Sequence, residues 1–520
     1  MSWQAELDEM ERRARFARQM GGADSVAFHR GRGKLTVRER IELLTDPGEF
    51  QETGVLAGNP QWDGDELTGL MPANSVVGVA KINGRKVAVQ GDDFTIRGGS
   101  ADGMIGTKGG WAPRHAYMNR IPYVRLLDAT GGSVKHFEQL GRTYVVGPEV
   151  GGGTGVDDLL WYMPVVNVVL GSVAGAPAVI AADGHFNVMV KGTSQLFVGG
   201  PPVVKASRGL DISKEELGGE DVHVYGNGVV QNLAETEAEA MQQARRFLSY
   251  LPQNVWEMPP RIEPSDDPER REEKLVSIIP RNIRRIYDAR KILEWVLDED
   301  SFFEIQPHWG KSRITGLARV DGYPVGVMIN NPRENGGSPN KATSEKIMRM
   351  ISLCDTFHLP LIYFCDEPGF SVGPADEQSG IIRTGARLML TSRLSQMPYL
   401  VFITRQAYGV VGGLQYRRGN ALYRRYAWPS AHWGSMHIEG GVTAAYRREI
   451  READDPEAKR LEIESRLNEI RSPLRTAHAF GIEDMIDPRD TRPLMVEFVR
   501  DAQSYIAQNL GPTARIPYLP

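Results

Sequence analysis

Residues 406–413, QAYGVVGG, close the apolar run PYLVFIT at 398–404. A buried strand that ends in small residues and glycine lets successive backbone N–H groups approach a ligand oxygen. Two such donors form an oxyanion hole once water is excluded. Residues 173–178, VAGAPA, end the strand-like run PVVNVVLGS in the same way. Two such turns suit a reaction in which two carbonyl-derived oxyanions meet and no strong side-chain nucleophile is needed. The plainer alternative is a pair of tight packing turns with no ligand.

Other chemistry finds less support. GGGTG at 151–155 invites a nucleotide-binding reading, but no evident Rossmann helix with a downstream acid follows it, so a flexible loop is expected. There is no GxxxxGK[ST] and no GxSxG elbow. His185, His308, His358, His432 and His437 lack zinc-like spacing with cysteines or carboxylates, so no metal site is expected. His432 and His437, five apart in AHWGSMH, read as a structural or hydrogen-bonded pair and not a metal site.

The elements that position the two turns come from a duplication. GVAKINGRKVAV at 78–89 and GLARVDGYPVGV at 316–327 both alternate around an NG or DG pair, the hairpin signal, at an offset of 238. The same offset lays RGGS at 97–100 on NGGS at 335–338, Lys108 on Lys346, and Asp128 on Asp366. After a slip to 234, residues 164–175 fall on 398–409, which makes the two turns twins. MPPRIEPSDDPERREEK at 258–274 reads as a linker, with a domain boundary near 270 that gives domains 1–270 and 271–520. Short apolar runs alternate with helical segments, so each half reads as an α/β domain. One helix lies over 341–357, starting at Ser344 or Thr343, and the charged stretch 445–470 reads as a solvated or partner-facing helix.

Bulk properties narrow the setting. At 520 residues the chain exceeds one core, and 41% hydrophobic with 24% charged residues is ordinary globular usage. A net charge of -5 supplies no field for nucleic acid or anionic membrane. Cys354 and Cys365 form neither a disulfide framework nor a CxxC pair, and the charged start lacks the apolar core of a secretory signal. A cytoplasmic protein with no membrane span is expected.

Four segments then carry a resemblance over nearly the whole chain: GRGKLTVRERIELLTDPGEFQETG (31–54), DDFTIRGGS (92–100), YDARKILEWVLDEDSFFEIQP (287–307) and DEPGFSVGPADEQSGIIRTGARL (366–388). In that order they resemble the carboxyltransferase β subunits of biotin-dependent acyl-CoA carboxylases of the propionyl-CoA carboxylase type. The resemblance implies an α/β tandem duplication of two crotonase-like (ClpP/crotonase) ββα-spiral domains, assembled as a homohexamer that pairs the N half of one subunit with the C half of another. It implies that Gly175 and Ala176 donate to the thioester oxygen of acyl-CoA and that Val410 and Val411 donate to the ureido oxygen of biotin. Gly131, Gly132, Gly409 and Gly413 are the implied substrate-binding positions. In the implied mechanism carboxybiotin releases CO2, the biotin nitrogen removes the α-proton of the acyl thioester, and the enolate attacks CO2. The sequence shows no AMKM-like biotin site and no ATP-grasp loop, so a biotin carboxylase and a biotin carboxyl carrier are expected on partner chains.

The active-site loops depart from the family pattern. AYGGAYDVM becomes AYGVVGGLQ at 407–415, AGGA-like sequence becomes AGAP with Pro177 lacking an N–H, and DSGGAR becomes ATGGSV at 129–134. The β-branched pair Val410 and Val411 is expected to narrow the approach to the turn and to resist unusual dihedrals. Gly413, where the family carries Asp, implies a larger or differently shaped acyl group. Two alternatives stand beside the carboxylase reading: decarboxylation of a malonyl-type thioester or carboxyl transfer between thioesters, and a non-catalytic assembly subunit.

Overall fold

The structure, a computed structural model, describes residues 2–145, 156–264, 266–416 and 421–512. The glycine run 151–155 lies outside the described residues. The chain divides into two compact units after Glu257. Residues 258–274, expected to be a linker with the boundary near 270, therefore belong to the second unit. Their arginines find partners on it: Arg261 Nε donates to the Asp321 carbonyl at 3.1 Å, and Arg270 Nη1 donates to the Trp295 carbonyl at 2.7 Å.

In the first unit the strands are β1 (Gln51–Thr53), β2 (Gly58–Asp63), β3 (Glu66–Pro72), β4 (Ser75–Ile82), β5 (Arg85–Asp92), β6 (Tyr123–Leu127), β7 (Val165–Val169), β8 (Ser172–Ala174), β9 (Phe186–Val190), β10 (Gln195–Phe197) and β11 (Asn232–Ala234). The main sheet runs β1-β4-β5-β6-β7-β9-β11, antiparallel through β5 and parallel from β5 onward. Strands β2 and β3 form a separate hairpin, and β8 pairs in parallel with β10.

The second unit repeats the plan with β12 (Phe303–Ile305), β13 (Arg313–Val320), β14 (Tyr323–Asn330), β15 (Leu361–Glu367), β16 (Tyr399–Tyr408), β17 (Tyr423–Ala427), β18 (His432–Gly434) and β19 (Asp484–Met485). Its order is β12-β13-β14-β15-β16-β17-β19, and β18 pairs with the end of β16 as β10 pairs with β8. Register bears out the duplication. Val89 pairs with Val124 and Val327 with Ile362, a shift of 238 for both partners. Val124 pairs with Val166 and Ile362 with Leu400, where the later strand carries the shift of 234. The paired strands are buried on both faces and read as near-continuous apolar runs, as parallel strands covered by helices must.

Local chemistry explains the elements. Asn83 and Gly84, then Asp321 and Gly322, sit at φ 51°, 75°, 52° and 75°, the left-handed pair that a two-residue hairpin turn needs. The helix expected from Ser344 or Thr343 is Lys341–Thr356, capped instead by Asn340, whose side chain accepts from the Thr343 N–H at 2.9 Å. Ser344 Oγ donates back to the Asn340 carbonyl, which is why serine there is compatible with the second turn. The charged stretch 445–470 is two helices, Arg447–Arg451 and Pro456–Ile470, because Pro456 cannot continue the first but suits the opening turn of the second. Among the described residues, no helix is long and apolar enough to cross a membrane.

Candidate active site

Each twin turn is anchored by a fully buried aspartate at the end of the preceding strand. Asp128 follows β6 and meets Lys34 Nζ at 3.2 Å and Arg40 Nη1 at 3.0 Å. Arg40 also grips Glu237 at 2.7 Å and donates through Nη2 to the Leu170 carbonyl at 3.1 Å, tying the cluster to the chain entering the turn. Burial alone would lower the pKa of Arg40, but Glu237 and Asp128 outweigh it and raise it. Burial pushes the nearby Asp92 carboxyl up to about 7, and the Asp128 charge adds to the rise; its Oδ2 accepts the Asp128 N–H at 3.1 Å.

In the second unit Asp366 lies in β15 and accepts from Arg405 Nε at 2.9 Å, Tyr287 Oη at 2.9 Å and Gln406 Nε2 at 3.0 Å. Arg405 and Gln406 are the β16 residues that lead directly to the turn. The alignment of Asp128 on Asp366 thus marks two equivalent anchors. Reading the sequence gave these aspartates no role, because their cationic partners come from unrelated positions.

The turn of the first unit brings four of the expected residues together. Gly175 has φ 69° and ψ -137°, a conformation that favours glycine, and it precedes the short helix Ala176–Ile180. A Cβ on Gly131 would lie 2.4 Å from the Ala174 carbonyl oxygen and 3.4 Å from Pro177 Cδ, so Gly131 is packed directly against this turn at φ 75°. The RGGS segment holds it there: Ala101 N–H donates to the Gly131 carbonyl at 2.8 Å, and Thr130 N–H to the Gly98 carbonyl at 3.1 Å. Gly132 is exposed, with open space where its Cβ would be.

The amides of this turn are not equivalent. Gly175 N–H donates to the Phe197 carbonyl at 3.1 Å, which completes the β8-β10 edge. It is therefore committed within the fold, against the expectation that it is a ligand donor. Ala176 is exposed, and its N–H, in the first turn of its helix, has no acceptor inside that helix. Pro177 has no N–H.

The second unit matches this pattern. Gly409 N–H donates to the Gly434 carbonyl at 3.2 Å, as Gly175 does to Phe197. Gly369, the counterpart of Gly131, packs on the turn in the same way, a Cβ there lying 3.9 Å from the Tyr408 carbonyl oxygen. Val410 takes ordinary helical angles, φ -63° and ψ -45°, and Val411 opens the one-turn helix Val411–Gln415. Both amides precede the first hydrogen bond of that turn.

The two valines separate completely: Val410 is 71% exposed and Val411 is 0% exposed. Only Val410 stands at the mouth, while Val411 is part of the core, so the expected narrowing comes from one side chain and no unusual dihedral is involved. Gly412 is fixed by packing, since a Cβ would sit 2.9 Å from the Ala407 carbonyl carbon. Gly413 is roomier, with a Cβ in ordinary contact with Met389 Cε at 3.4 Å. The two histidines are each hydrogen-bonded to a different partner, His432 Nδ1 with Tyr408 Oη at 3.0 Å and His437 Nε2 with the Pro368 carbonyl at 2.8 Å.

Comparison with known proteins gives this geometry its context. The carboxyl transferase domain model matches residues 29–504. The chain is 35% identical over 510 residues to the propionyl-CoA carboxylase carboxyltransferase subunit of Haloferax mediterranei, covering 97% of each. It is 31% identical to the methylmalonyl-CoA decarboxylase subunit alpha of Veillonella parvula, covering 92% of this chain and 91% of that one. Among solved structures it is similar to the hexameric transcarboxylase 12S with methylmalonyl-coenzyme A and methylmalonic acid bound: TM-score 0.86, 28% identity, 97% of this chain and 96% of that one. Each of the two units accordingly has the crotonase-like α/β fold. The match of the family model across both units, together with full-length relatives above 30% identity, shows that the chain belongs to the carboxyl transferase family.

Proposed function

We propose that this chain is the carboxyltransferase subunit of a biotin-dependent acyl-CoA carboxylase, moving a carboxyl group from carboxybiotin on a partner's carrier domain to the α-carbon, or vinylogous carbon, of an acyl-CoA. The observation that carries the reading is the pair of register-matched turns, each with first-turn amides lacking a helical acceptor, in a carboxyl transferase chain. In the first unit Ala176 N–H faces the thioester oxygen and stabilises the negative charge that develops as the enolate forms. Gly131, Gly132 and Gly175 supply close backbone approach for the acyl-CoA.

In the second unit Val410 and Val411 N–H groups would hold the ureido oxygen of biotin, with Gly409 and Gly413 keeping the approach free of side chains. These residues fit such a group: the exposed Val410 and two amides that lie ahead of the first helical hydrogen bond match a planar carbonyl acceptor. When bound, carboxybiotin supplies the carboxyl group. Preorganised backbone donors are worth most where charge appears only in the transition state, so no side-chain base is needed at either turn.

The assembly is proposed to be a homohexamer working with biotin carboxylase and biotin carboxyl carrier partners, supported by the hexamer of transcarboxylase 12S. Cys354 and Cys365 are buried and not joined in a disulfide, which supports a reducing cytoplasmic location. The similarity to a methylmalonyl-CoA decarboxylase subunit favours decarboxylation of a malonyl-type thioester as the second reading. Affinity capture of the chain from its native source, probed with streptavidin, tests the proposal. A stoichiometric biotinylated partner is the expected result; its absence with acyl-CoA still bound would favour a biotin-independent reaction.

A further inference from the structure

The second unit contains a cavity of about 410 Å³ whose walls include none of residues 406–416. Its charged lining is entirely cationic: Arg281, Arg405 and Arg471, with no carboxylate among the lining residues. Arg405 is already neutralised by Asp366 at 2.9 Å. Arg281 and Arg471 have no ion-pair partner among the described residues. Leu275, Ile279 and Ile283 give the cavity an apolar wall.

The second observation is His432, which also lines the cavity. Its side chain is 7% exposed, and its Nε2 is buried with no hydrogen-bond partner. The other ring nitrogen, Nδ1, meets Tyr408 Oη at 3.0 Å. In the tautomer in which Nδ1 accepts the Tyr408 hydroxyl proton, Nε2 carries an N–H with nothing to donate to. Burial, then Arg471 and Arg405, push the imidazole down to about 4, so at neutral pH this donor is uncharged.

We propose that this cavity is a binding site for a small organic oxyanion, a carboxylate or phosphate group received by Arg281, Arg471 and His432 Nε2–H, with a short apolar body against Leu275 and Ile279. A buried donor left unpaired costs stability, and an oxyanion is the chemistry that suits a lining whose charged side chains are all cationic. Isothermal titration of the full-length protein with inorganic phosphate, propionate and propionamide tests this. Both anions share the oxyanion, only propionate has the apolar body, and propionamide has the body without the charge.

Binding of at least one anion and not of propionamide is expected, and the tighter anion identifies the group the site takes. Arg471→Met, and independently His432→Phe, should each weaken that binding about tenfold or more while the protein still melts cooperatively. The proposal is overturned if propionamide binds as well as propionate, if neither anion binds the wild-type protein, or if anion binding survives both substitutions.

Discussion

Replacing Ala176 by proline deletes one backbone N–H while leaving the fold intact. Ala176 is the first residue of its helix, where proline's missing N–H breaks no helical bond and its fixed φ suits the turn. The preceding Gly175 has ψ -137°, outside the α region that a following proline disfavours. Stability should therefore change by less than about 1 kcal/mol. Catalysis should not be spared: Gly175 N–H is engaged with Phe197 at 3.1 Å and Pro177 has none, so the proposed function leaves the donor role of the turn to Ala176. Losing one oxyanion donor costs on the order of 100- to 1000-fold in kcat, about 3 to 4 kcal/mol of transition-state stabilisation. The assay is steady-state carboxylation of acyl-CoA by the reconstituted complex, with melting temperature alongside and Ala176→Gly, which keeps the N–H, as the control. A folded proline variant retaining kcat to within about threefold would refute the backbone-donor argument.

Gly413→Asp fits the space beside Met389 and should shift kcat/KM among acyl-CoAs toward short chains; unchanged selectivity across a chain-length panel would reject that role for position 413. Arg40→Met leaves Glu237 buried without its cation and Asp128 with Lys34 alone, and urea unfolding should show a loss of about 3 to 5 kcal/mol. For His432, the folded pKa of about 4 lies below the ordinary 6.5, so the unfolded chain binds the extra proton between those values. Its contribution is present above pH 6.5 and lost as pH falls toward 4, amounting to about 3 kcal/mol, and His432→Gln should flatten that part of the urea-derived stability profile.

Much of the fold was legible because it rests on local rules. The NG and DG pairs marked both hairpins through left-handed turn residues, and the offsets of 238 and 234 reappear as strand registers. The twin turns were found for the same reason: a buried strand ending in small residues is visible in one stretch of sequence. What was missed depends on partners far apart in the chain. The proline-rich stretch 258–274 looked like a linker, yet its arginines bind carbonyls of the second unit. Gly175 looked like a donor until β10 came to accept its N–H. Val410 and Val411 looked alike as neighbours, although one faces out and the other is core. The cationic cavity was invisible because residues 281, 405, 432 and 471 share no motif.

The central claim is carboxyl transfer between a biotin and an acyl thioester, and run in reverse it needs only this chain. The purified protein is incubated with free biotin and a panel of malonyl-type CoA thioesters carrying radiolabel in the free carboxyl group. The account predicts that label leaves one of these thioesters only when biotin is present, appears on biotin, and is slowed on the order of 100-fold or more by Ala176→Pro. Release of label as CO2 at the same rate with and without biotin would contradict it.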